Sequence, residues 1–145
     1  MKLFRNKRGF TLIELVMVIV ILGILASVAV PKFQNIADKA REAATLGVVG
    51  GVRAGITATY ASNLLNNYID PVSGTYYPGT LDNAASGSMA SPMNPFFINV
   101  LDQGGITKDW LKGSQATYYY TNAVPADSSY HYLNTNGSFV RMVGR

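Results

Sequence analysis

One carboxylate stands inside the most apolar stretch of this 145-residue chain. Residues 10–30 read FTLIELVMVIVILGILASVAV, and Glu14 is the only charged side chain among them. A charge left unpaired at the centre of a bilayer costs about 2.5–3.5 kcal/mol, so Glu14 needs a compensating environment. Either it lies at the edge of a membrane span and reaches the headgroups, or a positive group neutralises it.

The other reactive residue types form no catalytic pattern. The single histidine, His131, stands between two tyrosines without a second nitrogen ligand, and the chain has no cysteine. Serines occur without a nucleophile-elbow context, and no glycine-rich phosphate loop follows a strand. Calcium needs several oxygen ligands, yet Asp127 is the only acidic residue after Asp109. We expect no enzyme, no metal and no cofactor, and a structural role for His131.

The apolar segment has the length of a single membrane span. As a helix rising ~1.5 Å per residue, residues 10–30 extend about 31 Å, close to the hydrocarbon thickness of a bilayer. Four basic and no acidic side chains precede it, namely Lys2, Arg5, Lys7 and Arg8. The positive-inside rule then predicts a cytoplasmic N-terminus, with the chain after Pro31 on the other side of the inner membrane.

The small residue that borders this span precedes it, whereas an ordinary secretory signal has its small-residue cleavage site after the apolar run. Gly9 lies between the basic cluster and Phe10. Cleavage at Gly9 would therefore keep the hydrophobic helix and create a new amine on Phe10, four residues before Glu14. Glu14 of one subunit could then neutralise that amine on its neighbour and fix the axial register of assembly.

The charge balance argues against a nucleic-acid-binding protein. The formal net charge is +4, but removal of the four basic leader residues leaves eight basic and eight acidic side chains. Nonspecific DNA binding needs an excess of basic side chains, so we expect no nucleic-acid partner. A DNA-uptake role would require a local convergence of basic residues with loop aromatics, with Lys108, Lys112, Arg141 and Arg145 as candidates.

The run Arg8-Gly9-Phe10-Thr11-Leu12-Ile13-Glu14-Leu15, followed by the apolar segment and Pro31, resembles the processing and methylation signature of type IV prepilins and type II secretion pseudopilins. This resemblance implies that a membrane aspartyl peptidase cuts between Gly9 and Phe10 and that the Phe10 amine is then methylated. It also implies recognition and assembly roles for Gly9 and Glu14. The segment Lys32 to Ala61, with PKF (31–33) followed by DKAREAA (38–44), is similar to mannose-sensitive haemagglutinin type pilins.

The resemblance implies a structural subunit of a type IV pilus-like extracellular filament that serves adhesion or motility. Its partners would be the prepilin peptidase/methyltransferase, further copies of the chain, minor (pseudo)pilins, membrane lipid, and an inner-membrane assembly platform with its cytoplasmic ATPase. The alternatives are a type II secretion pseudopilin in a periplasmic filament, a DNA-uptake minor pilin, and an anchored receptor that never polymerises. The receptor hypothesis predicts that Glu14→Ala leaves function intact.

The rest of the pattern predicts an α+β fold of the type IV pilin kind. We expect a cleaved leader (1–9), a transmembrane helix (10–30) and an outer amphipathic helix (31–66) that packs on a small C-terminal antiparallel sheet (117–145). Between them, residues 67–116 are rich in proline, glycine and serine and are predicted to form loops. Gly23 and Pro31 predict a bend in the first helix, because proline removes a backbone hydrogen bond.

Two details of the chain after residue 31 follow from particular residues. Asn136-Gly137 is a strong hairpin signal and predicts pairing of Thr135 with Ser138, which separates Tyr130, Tyr132, Phe139 and Val143 from His131, Leu133, Val140 and Met142 on opposite faces. Four glycines of the outer helix are unfavourable for helix formation, so we expect close packing there rather than a break at Gly50-Gly51. They are Gly47, Gly50, Gly51 and Gly55.

Overall fold

The computed structural model describes residues 9–121 and 128–143 of the chain. Its elements are the helix α1 (Leu12–Leu65) and the strands β1 (Trp110–Ser114), β2 (Thr117–Tyr120), β3 (Ser128–Leu133) and β4 (Ser138–Val143). The predicted α+β class, with one long helix before a small antiparallel sheet, is confirmed. The basic leader residues 1–8, together with Asp127 and Arg145, lie outside the described residues.

The chain divides into two compact units, residues 1–39 and 40–145. In the first unit, α1 is helical without interruption through Gly23 and Pro31. The Ser27 hydroxyl donates a hydrogen bond of 2.7 Å to the Ile24 carbonyl, one turn earlier. Local melting of the helix at these residues is therefore absent from the described structure, and the bend stays a prediction.

The second unit contains a four-stranded sheet in the order β1-β2-β3-β4, with every neighbouring pair antiparallel. The sheet begins earlier in the chain than predicted, because β1 lies inside the segment 67–116 that we expected to be loop. Its sequence WLKGS contains a lysine and a glycine, which disfavour strands. Burial of Trp110 and Lys112, at 1% and 2% exposure, outweighs that local preference.

The β3–β4 hairpin has a different register from the one predicted. Leu133 pairs with Ser138, so four residues (134–137) form the turn instead of two. Gly137 takes φ +69°, and the Asn136 side-chain oxygen accepts hydrogen bonds from the backbone N–H and the hydroxyl of Ser138. The Asn-Gly pair thus marks the turn correctly, but the longer turn shifts the predicted pairing by two residues.

The predicted faces of this hairpin survive the register shift, because side chains alternate with a period of two. Tyr130, Tyr132 and Phe139 are at most 4% exposed, whereas Met142 and Val143 are more than half exposed. Val143 is near the end of β4 and does not reach the core. The buried residues belong to the same core cluster as the helix residues Val49, Val52 and Ile56.

The outer half of α1 packs against the sheet side through a stripe at helical spacing. Val49, Val52 and Ile56 are each at most 2% exposed, and Arg53 Nε donates a hydrogen bond of 2.9 Å to the Phe139 carbonyl of β4. This polar contact fixes the helix against the sheet. Phe33 and Ile36, near the start of the predicted outer amphipathic helix, are 70% and 61% exposed.

The helix glycines differ in what surrounds them. A side-chain carbon added at Gly55 would overlap the Val100 carbonyl group, so only glycine fits there. Added at Gly51 it would make ordinary contact with Leu101, and at Gly47 or Gly50 it would meet nothing within 4 Å. The close-packing prediction is correct for Gly55, and α1 does not break at Gly50-Gly51.

The loop region is held by aromatic contacts with the helix. The Tyr77 ring stacks on Tyr60 with ring centroids 4.4 Å apart, and the Tyr76 ring meets Tyr60 edge-on at 6.2 Å. The Tyr132 hydroxyl of β3 donates a hydrogen bond of 2.6 Å to the Pro78 carbonyl. These tyrosines anchor the loop onto the domain, whereas Tyr68 is half exposed.

Asp70 organises the first turn of this loop region. Burial raises the pKa of its carboxyl group, but hydrogen bonds from the backbone N–H groups of Gly79, Val72 and Ser73 outweigh burial and lower the pKa below its ordinary value. The ionised side chain is therefore the form that the fold stabilises.

This pKa shift predicts an acid-sensitive loop. A lowered folded-state pKa contributes stability that is present above the unfolded-state pKa of about 3.9 and is lost as the pH falls through the folded-state value. We expect the free energy of unfolding of Asp70→Asn to fall less than that of wild type when the pH is lowered from about 6 to about 3. Denaturant unfolding of the full chain at several pH values measures this difference. Equal pH slopes for the two proteins would contradict it.

Candidate assembly site

The predicted cleavage site lies directly before the first helical residue. Gly9, Phe10 and Thr11 precede α1 without regular structure, and the Phe10 side chain is 83% exposed. A carbon added at Gly9 would meet no atom within 4 Å. The peptide bond between Gly9 and Phe10 is therefore sterically open within the described part of the chain. Helix formation starts only after it.

Glu14 is held by a residue that the sequence analysis did not single out. The Thr11 backbone N–H and the Thr11 hydroxyl both donate hydrogen bonds of 2.8 Å to Glu14 Oε2, and the Glu14 N–H donates one of 3.3 Å to the Thr11 hydroxyl oxygen. This is a capping box, in which Thr11 caps the N-terminus of α1 and Glu14 reaches back. The Thr-x-x-Glu spacing was a visible signal for it.

The capping box determines where the carboxylate lies. Glu14 is in the first turn of α1, where the positive end of the helix dipole favours a negative charge. Both Thr11 bonds to its carboxylate use Oε2 rather than Oε1. The structure thus places Glu14 one turn or less from Phe10 and orients one side of its carboxylate toward the chain start.

The first part of α1, residues 12–30, exposes apolar side chains on all sides. None of its most apolar 18-residue window is buried, and that helix is the one in the described residues long and apolar enough to cross a membrane. The side chains concerned are all more than one third exposed: Leu12, Ile13, Leu15, Val16, Met17, Val18, Ile19, Val20, Ile21, Leu22, Ile24, Leu25, Val28 and Val30. Gly23 and Pro31 lie within this segment and are not brought near Glu14. Such a surface requires lipid or other apolar helices around it.

Comparison with known families identifies this N-terminal segment. The family described as "Prokaryotic N-terminal methylation motif" matches residues 4–30, which contain Gly9, Phe10, Glu14 and the apolar helix. Residues 4–30 therefore carry the N-terminal motif of the type IV prepilin superfamily. The run Arg8 to Leu15, quoted above for the resemblance, lies within the matched residues.

The proteins similar to this chain include fimbrial proteins. The chain is similar to fimbrial protein EcpC of Eikenella corrodens, 31% identical over 93 residues that cover 64% of this chain and 52% of EcpC. The type IV major fimbrial protein FimA of Dichelobacter nodosus is 27% identical over 124 residues, covering 76% of this chain and 75% of FimA.

A third relative matches mainly at the N-terminus. The type IV narrow pilus major component PilA5 of Thermus thermophilus is 49% identical over 47 residues, covering 32% of this chain and 40% of PilA5. The chain therefore spans about half the length of EcpC and less of PilA5. No solved structure matches it. The similarity to mannose-sensitive haemagglutinin type pilins stays an expectation.

The basic residues proposed for DNA uptake are not brought together as a surface. Lys112 is 2% exposed and forms an ion pair with Asp82 in the interior of the second unit. Arg141 donates a hydrogen bond to Ser128 and lies 3.9 Å from Glu42, while Arg145 is outside the described residues. The required convergence therefore fails at Lys112, because its positive charge is already paired and buried.

His131 lies in β3, where its Nδ1 is 2.9 Å from the Thr117 hydroxyl of β2. This contact is between paired residues of neighbouring strands and agrees with the predicted structural role. Among residues 9–121 and 128–143, no group of three histidine, aspartate or glutamate side chains has the proximity that a metal ion needs.

Proposed function

We propose that this chain is a structural subunit of a type IV pilus-like extracellular filament, used for adhesion or motility. The observation that carries the proposal is the first part of α1, which is apolar on all sides, has one carboxylate, and buries none of its apolar window in its own chain. In the membrane, lipid covers this surface. Once the subunit leaves the membrane, the helices of other copies are the apolar surroundings that match it.

The proposed precursor is a single-pass inner-membrane protein with its N-terminus in the cytoplasm. Its basic leader is retained on the cytoplasmic side by the positive-inside rule. A prepilin peptidase/methyltransferase then cuts between Gly9 and Phe10 and methylates the Phe10 amine. The exposed, non-helical linkage at Gly9 supports access by such an enzyme.

Assembly would pair Glu14 with the Phe10 amine of a neighbouring subunit. The capping box supports this role, because Thr11 bonds to Oε2 and holds the carboxylate at the start of the helix. The same geometry leaves Oε1 outside those two bonds, where it can accept a hydrogen bond from a second subunit. Pairing lowers the free-energy cost of burying the carboxylate and the amine in an apolar filament interior, and it sets the axial position of each subunit.

Other partners follow from filament assembly. Minor pilins, an inner-membrane platform and a cytoplasmic ATPase would insert subunits at the filament base. The fimbrial relatives support a pilus over a secretion pseudopilus, since EcpC, FimA and PilA5 are fimbrial or pilus proteins by name.

Immunogold electron microscopy of cells that express a C-terminally tagged chain at native level tests the proposal. We expect gold label along surface fibres, with loss of the fibres when the gene is deleted. Label confined to the cell envelope, together with secreted enzymes that accumulate inside the deletion strain, would instead establish a type II secretion pseudopilin. Label on the envelope without either effect would establish an anchored receptor.

A further inference from the structure

A lysine and an aspartate that are 30 residues apart in the chain meet in the interior of the second unit, residues 40–145. Lys112 Nζ contacts Asp82 Oδ1 at 2.5 Å, and the two side chains are 3% and 0% exposed. Lys112 comes from the middle of β1, and Asp82 comes from the loop region before it. Neither residue takes part in the proposed filament assembly or in the apolar part of α1.

The surroundings of the pair are apolar and aromatic. Lys112 Nζ lies 5.5 Å from the centre of the Tyr118 ring, and the neighbouring core residues Phe96 and Phe97 are fully buried. Removing an amine and a carboxylate from water is unfavourable, and the interior offers little solvent to keep them as separate ions. A neutral covalent product would relieve that desolvation.

The backbone around Asp82 supplies hydrogen-bond donors to both carboxylate oxygens. The Phe97 N–H donates to Oδ2 at 3.2 Å, and the Ala84 N–H donates to Oδ1 at 3.1 Å. Phe97 has φ +62°, a left-handed conformation that is strained for an aromatic residue. The strained residue is thus one of the two whose backbone N–H groups donate to the Asp82 carboxylate.

We propose that Lys112 and Asp82 condense to an intramolecular amide that covalently joins β1 to the loop region. One ammonium proton of Lys112 first moves to Asp82 Oδ1, to which Nζ already donates a hydrogen bond, and the neutral amine nitrogen then attacks Asp82 Cγ. Negative charge that develops on Oδ2 is stabilised by the Phe97 N–H. Oδ1 leaves as water with two protons of the ammonium group, and the third proton stays on the amide nitrogen. Charges and atoms balance, and the step needs no oxidant or other reactant.

Tyr118 is placed to assist the proton transfers. Its hydroxyl is buried without a hydrogen bond of ordinary geometry among the described residues. Burial, followed by the charge of Asp82, raises the pKa of this hydroxyl above its ordinary value, so the group stays protonated. A protonated hydroxyl near the carboxylate can donate to the departing Oδ1.

The bond would give the second unit a covalent cross-link. The chain has no cysteine, so it can form no disulfide. An amide between residues 82 and 112 closes a loop that contains the strained Phe97 and much of the region without regular structure. Such a closed loop reduces the freedom of the unfolded chain and resists reduction.

Peptide mass spectrometry of the full chain, purified from membranes in detergent and denatured before trypsin digestion, tests the bond. Without it, trypsin releases peptides 54–108, 109–112 and 113–141, because lysine or arginine occupies positions 53, 108, 112 and 141. With it, cleavage at Lys112 is blocked. We expect a branched product in which peptide 54–108 is joined to 109–141, lighter by one water molecule than their sum. Recovery of the three linear peptides alone would overturn the proposal.

Two lysine variants separate this bond from other losses of water. Lys108→Arg changes an exposed residue and keeps the trypsin site, so the branched product should remain. Lys112→Arg keeps a positive charge beside Asp82 but removes the amine, so the branched product should vanish. Loss of water from peptide 54–108 alone in Lys112→Arg would come from an aspartate that cyclises onto its own backbone, and it is distinguished from the amide because it joins no second peptide. A branched product that persists in Lys112→Arg would reject Lys112 as the amine.

A third variant tests the assisting hydroxyl. Tyr118→Phe keeps the ring beside Lys112 and removes the proton donor, so the branched fraction should accumulate more slowly after synthesis, as followed by pulse labelling and the same digestion. An unchanged rate would remove Tyr118 from the mechanism while leaving the bond itself to the wild-type measurement.

Discussion

Filaments are expected to disappear from cells that carry Glu14→Ala. In the proposed assembly, removal of this carboxylate leaves the neighbour's Phe10 amine unpaired among apolar helices. An unpaired charge there costs about 2.5–3.5 kcal/mol, which corresponds to about a hundredfold weaker addition of each subunit. Because every subunit repeats the contact, filament yield should fall to background while the membrane-inserted subunit remains at its normal level.

Sheared-filament yield, measured beside the membrane level of the subunit by immunoblot, checks this result. Glu42→Ala is the matched control, because Glu42 is also a glutamate of α1 but lies beyond the apolar segment, with a half-exposed side chain 3.9 Å from Arg141. Exposed ion pairs contribute little, so Glu42→Ala should retain filaments. Wild-type filament yield from Glu14→Ala would refute the pairing and favour an anchored receptor or another register device.

The second large effect is expected at Gly55, where helix propensity and packing predict opposite signs. An alanine in a helix is favoured over glycine by about 1 kcal/mol. At Gly55, however, the added carbon would overlap the backbone carbonyl of Val100, which cannot move aside as a side chain can. Overpacking of this kind costs about 1–3 kcal/mol, so after subtraction of the helix-propensity gain Gly55→Ala should destabilise the chain by up to about 2 kcal/mol.

Gly50→Ala is the control for this prediction, because a carbon added there meets nothing within 4 Å. It should stabilise the isolated subunit by up to about 1 kcal/mol. In thermal unfolding of the detergent-solubilised full chain, Gly55→Ala should lower Tm by up to about 8 °C and Gly50→Ala should raise it by up to about 4 °C. A stabilised Gly55→Ala would show that Val100 does not approach the helix as described.

Much of the candidate site was accessible from the sequence because its determinants are local. The predicted cleavage linkage between Gly9 and Phe10, the Glu14 carboxylate and the apolar run are neighbours in the chain, so their proximity follows from sequence separation alone. The capping box was also visible, as Thr11 and Glu14 have the required spacing of three residues. It was missed because Glu14 was considered only as a partner for positive groups.

The outer domain was only partly predictable, since its determinants are separated in sequence. Alternation placed Tyr130 and Phe139 on the buried face, and Asn136-Gly137 located the turn. The turn also packs against a residue distant in sequence, since a side-chain carbon at Gly137 would overlap the Tyr77 ring. Local residue preferences contain no information about such a contact.

The sequence by itself predicted the α+β class and a helix long and apolar enough to cross a membrane, because composition and periodicity are sufficient for both. The prepilin motif followed from the resemblance of residues 8–15 to a known signature. Only the tertiary structure decided that Trp110–Ser114 is a strand, that Gly55 must stay glycine, and that Lys112 pairs with Asp82 in the interior. These features depend on which distant residues share the core. Burial there reverses local preferences, turning a weak strand former into β1 and a surface-type lysine into a core residue.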